Sequence, residues 1–124
     1  MLGEKDAIAT IAVKDIAAAR KFYEGTLGLS LSGSQEAGVL LYQSGKSRVL
    51  VYQSQYAGTN QATAATWLVE DMEGVVKALK ATGVAFEHYD LPGLARQGDV
   101  HVAGGLKAAW LKDPDGNILA LVNR

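Results

Sequence analysis

The chain has 124 residues, 48% hydrophobic and 20% charged, with no cysteine and a formal net charge of −1. That is the size and composition of one domain able to bury a core without cross-links. The missing cysteines exclude disulfides and thiolate chemistry, and basic residues scattered among acids give nucleic acid no electrostatic footprint.

No apolar run approaches the roughly 20 residues that span a bilayer. The opening MLGEKD has no charged-then-apolar leader, so a cytoplasmic protein without membrane contact is expected.

The first structured stretch is ATIAVKDI, Ala9 to Ile16. It reads as a strand of about five residues ending at Asp15, whose carboxylate can accept the unpaired N–H groups of a helix's first turn. Ile16, Ala19, Phe22 and Tyr23 then fall on one helical face, and Gly25 or Gly28 can stop the helix. Three strands are predicted next, Leu29–Leu31, Val39–Gln43 and Arg48–Gln53, separated by the turn segments SGSQEAG and SGKS. A polar linker, SQYAGTNQAT, follows.

The pattern then starts again. ATWLVEDM, Ala65 to Met72, repeats ATIAVKDI at an offset of 56 positions with Ala, Thr, Val and Asp matched. A second helix is predicted after Asp71, with Met72, Val75, Val76 and Leu79 on its buried face and Gly83 at its end. Strands are expected at Ala85–Tyr89, Leu106–Leu111 and Ile118–Val122, the last directly after the Asp-Pro-Asp-Gly turn. The longest irregular piece, Asp90 to Gly105, is a candidate lid. One α+β domain is expected, made of two strand–helix–three-strand units at about 6–54 and 63–124 with a linker at about 55–62.

The segments ATIAVKDIAAARKFYEGTLGL, ATWLVEDMEGVVKALKATGV and AAWLKDPDGNILALV resemble the vicinal oxygen chelate superfamily. That group includes glyoxalase I lyases, bleomycin-binding resistance proteins, fosfomycin-modifying enzymes and extradiol dioxygenases. The resemblance implies two βαβββ repeats whose curved mixed sheets form a cup, usually in a homodimer, with the site inside the cup. It also implies, in metal-dependent members, a His seven residues before the first capping Asp, a counterpart in the second unit, and ligands on the last strand of each unit.

Here those places hold Ile8, Ala64 and Ala120, and the strand ending the first unit offers at best Gln53. Alkyl side chains donate nothing to a metal, and a slip of one residue meets only Ala7, Ala9, Leu119 or Leu121. No metal and no other cofactor is expected, since phosphate-cradling glycine motifs are also absent.

If Ile8 and Ala64 face the cup, strand alternation brings Thr10 and Thr66 with them, and Ala120 brings Ile118 and Val122. Trp110 stands where similar fosfomycin-modifying members hold a pocket aromatic. Tyr42, Tyr52 and Trp67 are further aromatic candidates, although parity with Thr66 turns Trp67 outward. Thr10, Tyr42, Gln53, Thr66, Trp110 and Ala120 are therefore the candidate ligand contacts, suited to a small, partly apolar organic molecule.

Of the two histidines, His88 reads as a polar strand end. His101, with Asp99 and Tyr89, is a weak catalytic candidate set from the long loop. The favoured expectation is a metal-free small-molecule binder that sequesters or senses its ligand. The alternative is a lyase, isomerase or transferase of the same superfamily, using a metal or loop His and Asp groups at non-aligned positions.

Overall fold

The computed structural model describes residues 1–32 and 38–123, so most of the predicted SGSQEAG turn lies outside the described residues. After a 3-10 turn at Leu2–Glu4, strand β1 (Ala9–Val13) leads into helix α1 (Ile16–Arg20) and a π-helical turn at Lys21–Thr26. β2 (Ser30–Leu31), β3 (Val39–Ser44) and β4 (Ser47–Gln53) complete the first unit. β5 (Thr63–Val69), α2 (Met72–Ala81), β6 (Phe86–Glu87), β7 (Ala95–Gln97), β8 (Val100–Ala103), β9 (Leu106–Lys112) and β10 (Ile118–Asn123) form the second. Among the described residues no helix is long and apolar enough to cross a membrane.

Both helices start where their caps predict. The Asp15 carboxylate accepts from the N–H groups of Ala17 and Ala18, and that of Asp71 from Gly74. These bonds satisfy first-turn donors that the helix itself leaves open. The first helix widens after Arg20 into the π turn, which ends at Leu27 before Gly28, whose φ of +77° turns the chain toward β2.

The sheets repeat each other. In the first, the order is β1-β4-β3-β2, with β1 and β4 parallel and the other pairs antiparallel. In the second it is β5-β10-β9, with β5 and β10 parallel, and β6 beside β9. The expected lid is not irregular. Ala95–Ala103 folds as a hairpin, β7–β8, turning at Gly98 with φ +65°, and β8 pairs with the half of β9 that β6 leaves open. The GD dipeptide between two short strands supplies the turn, so the second sheet has six strands rather than four.

Each sheet has one helix-covered face and one open face. Ile11, Val13, Leu40, Tyr42, Val49 and Val51 are buried beneath the first helix with Ala19 and Tyr23. Ala65, Ala109, Leu111, Leu119 and Leu121 are buried on the corresponding side of the second sheet, with Met72 and Val76 of α2. These residues form one continuous core across both units.

The DPDG segment ties the units together. Both oxygens of the buried Asp113 carboxylate are fully engaged. Oδ1 accepts from the backbone N–H groups of Asp115 and Asn117, each at 2.9 Å, and Oδ2 accepts from Tyr23 Oη at 2.7 Å and Asn117 Nδ2 at 2.8 Å. Asn117 Nδ2 also donates to the β1 carbonyl of Ala12 at 2.7 Å, and Asp115 accepts from the Lys14 N–H at 3.2 Å. The turn of the second unit is thus pinned to the strand and helix of the first. In the linker, Gly58 at φ +74° lies against the Asp115 carbonyl.

Candidate functional site

Strand pairing fixes which side chains share the open face. Thr10 pairs with Leu50 and Ala12 with Tyr52 in the first sheet, while in the second Thr66 pairs with Ala120, which faces Trp110 on β9. Leu68, Val122, Ala108 and His101 form the next row. Thr10 and Thr66 thus occupy equivalent, exposed places on the two units. Ala108 and Ala120 belong to this face and are nevertheless buried.

Two candidate contacts lie elsewhere. Tyr42 pairs with Val49 and sits in the core beneath the first helix, its hydroxyl donating to Glu24 at 2.8 Å. Gln53 pairs with Val13, so it too points away from Thr10, and its amide donates to the Lys14 carbonyl at 3.0 Å. Tyr52, its neighbour, holds the open-face position. Trp67 is on the helix side, as parity with Thr66 requires, where its indole N–H donates to Ser44 Oγ at 2.8 Å.

An aromatic cluster occupies the second sheet's open face. Ring centroids are 4.8 Å apart for His101 and Trp110, nearly perpendicular, 5.3 Å for Tyr89 and Trp110, and 6.1 Å for Tyr89 and His101. The backbone N–H of Tyr89 donates to His101 Nε2 at 2.9 Å. A backbone amide can only donate, so Nε2 carries the lone pair and the imidazole proton sits on Nδ1. That Nδ1–H and the Tyr89 hydroxyl are buried without a hydrogen-bond partner among the described residues.

The third member of the loop set lies apart. Asp99 accepts from Lys80 Nζ at 2.7 Å, with His88 Nε2 also at 2.7 Å, and His88 Nδ1 faces Arg96 at 3.0 Å. The bond from Lys80, then that from His88, holds the Asp99 carboxyl below its usual range. His88 and Asp99, not His101 and Asp99, are the bonded pair. Their partnership depends on the β7–β8 hairpin, whose short strands carry no local sequence signal.

The donor set does not fit a chelated metal. Ile8, Ala64 and Ala120 offer no lone pairs, and among the described residues no three His, Cys, Asp or Glu side chains converge. On the open face His101 has one nitrogen already occupied by a backbone amide.

Residues 6–121 match the family model of the Glyoxalase/Bleomycin resistance protein/Dioxygenase superfamily. The chain belongs to this superfamily. No curated protein sequence matches it. Solved structures share its fold at low identity. A bleomycin-binding protein complexed with bleomycin has a TM-score of 0.73 at 20% identity, covering 97% of this chain and 98% of that one. A glyoxalase family protein from Enterococcus faecalis also has a TM-score of 0.73 at 20% identity, with 98% and 99% covered. A lactoylglutathione lyase from Agrobacterium tumefaciens reaches 0.70 at 15% identity, with 96% and 93% covered. Within the superfamily, fold alone does not select among these activities.

Proposed function

We propose that this superfamily member binds a small, partly aromatic organic molecule on the open face of its sheets without a metal, to sequester or sense it. The observation that carries this reading is the cluster of Trp110, Tyr89 and His101 beside Ala108 and Ala120. It offers aromatic surface and small neighbours, and its two buried donor groups have no acceptor among the described residues, so a ligand that parts the cluster would satisfy them. Thr10 and Thr66 add hydroxyls from the two units. The bleomycin-binding neighbour is a protein of this fold that holds a small organic molecule, so a binding use is compatible with the fold.

Three exposed large apolar side chains, Tyr52, Leu68 and Leu106, lie on this same face, with Leu68 60% exposed. An apolar surface of this kind favours cover. We propose a homodimer in which a second copy closes the face into a cup. Leu68→Glu should then shift the protein toward monomer in sedimentation, and an unchanged mass would count against the arrangement.

The binding test uses Trp67→Phe protein, in which Trp110 is the only indole. Titration with bleomycin and with planar aromatic compounds in the presence of a chelator should change Trp110 emission saturably. Binding that appears only when a divalent ion is supplied, or one divalent ion per chain in the purified protein, would overturn the metal-free reading.

A further inference from the structure

A cavity lies on the other, helix-covered side of the sheets. It has a volume of about 180 Å³ and lies where the end of the first unit's helical segment meets α2 and the second sheet. Leu111, Leu119 and Leu121 form a buried floor. Leu27, Val75 and Leu79 are among the half-buried walls, so the space reaches solvent. Protein interiors normally leave few voids larger than a water molecule. A leucine- and phenylalanine-lined cavity of about 150 Å³ stays dry and accepts a benzene ring.

One polar group serves this otherwise apolar space. Ser44 Oγ accepts the Trp67 indole N–H at 2.8 Å. A hydroxyl that accepts one bond keeps its own proton to donate. Among the described residues no charged side chain lines the cavity.

We infer that this cavity is a second binding site, separate from the open face, for a neutral single-ring molecule bearing one acceptor oxygen. The ring fills the leucine-lined space against Trp67, and the oxygen accepts from the Ser44 hydroxyl. A charged ligand is disfavoured because no charged group among the described lining residues compensates its desolvation.

The test uses Trp110→Phe protein, leaving Trp67 as the only indole, with phenol, benzene and benzoate as probes. Phenol should perturb Trp67 emission saturably and bind several-fold more tightly than benzene, with benzoate silent. Val75→Phe, which places a ring in the cavity, should weaken phenol at least tenfold and raise the melting temperature. A non-saturable phenol response, equal binding of benzoate, or phenol binding unaffected by Val75→Phe would overturn the inference.

Methyl NMR of the unmutated chain gives an answer independent of that variant's folding. Phenol should move the Leu27, Leu79 and Leu119 resonances. Shifts confined to Thr10, Thr66 and Ala120 would place phenol on the open face and refute the second site.

Discussion

Tyr23→Phe isolates the bond that joins the first unit's helical segment to the DPDG turn. The change removes only the hydroxyl that donates to Asp113 Oδ2 at 2.7 Å. Hydrogen bonds to charged groups contribute about 1.5–3 kcal/mol, and Asn117 Nδ2 still donates to the same oxygen. The expected loss is therefore about 2 kcal/mol, which for a domain of this size lowers the melting temperature by roughly 8 °C.

Asp113→Ala removes the acceptor of four bonds and should cost about 4 kcal/mol, since the Tyr23 hydroxyl and turn amides lose their partner in a buried place. Urea unfolding of both single variants and the double variant, at one protein concentration, gives the coupling. Most of the Tyr23→Phe penalty should vanish in the Asp113→Ala background. A coupling below about 0.5 kcal/mol would refute the claim that this pair fastens the units.

Three further outcomes are expected. The Tyr23 phenol is held well above its usual value, by burial first and then by Asp113, and Tyr42 likewise by burial and then its bond to Glu24. The unfolded chain releases these protons near pH 10 while the folded chain keeps them. The resulting stability is complete below that pH and falls above it, less so in Tyr23→Phe, as alkaline denaturation monitored by circular dichroism would show. Gly58→Ala places a methyl group against the Asp115 carbonyl at a left-handed backbone position, and calorimetric melting should report a loss of about 2–3 kcal/mol. Ala120→Glu should create no tight divalent-ion site by titration calorimetry, because Ile8 and Ala64 still offer only alkyl groups.

The parts of the fold legible in the sequence are those set by local chemistry. Asp15 and Asp71 announce their helices because a capping carboxylate acts within three residues. The matched ATIAV and ATWLV strands align Thr10 with Thr66 and turn Trp67 away, both consequences of strand alternation alone. Tyr42 and Gln53 show where that reasoning stops. Their faces are set by pairing with Val49 and Val13, which local periodicity does not specify.

The β7–β8 hairpin was hidden for a related reason. Its strands of three and four residues are too short to show alternation, and β8 is held by an edge of β9 that only the folded sheet supplies. The aromatic cluster follows from it, since that pairing brings His101 beside Trp110. Asp113 reads in sequence as an ordinary turn residue. Its partner Tyr23 is 90 positions away, and nothing local names it.

The order of strands in the second sheet also has a bearing on how the protein comes to exist. β10 lies between β5 and β9 and is the last of the sheet's strands to be synthesised. Until it is available, β5 and β9 have no shared neighbour, and two rows of backbone N–H and C=O groups remain unpaired. Asp113, just ahead of β10, arrives at nearly the same moment to meet a tyrosine made long before. Completion of the second sheet and fastening of the two units are therefore coupled in one step of folding. A chain truncated before β10 should leave the β5 and β9 edges unpaired and aggregate more readily than the full chain.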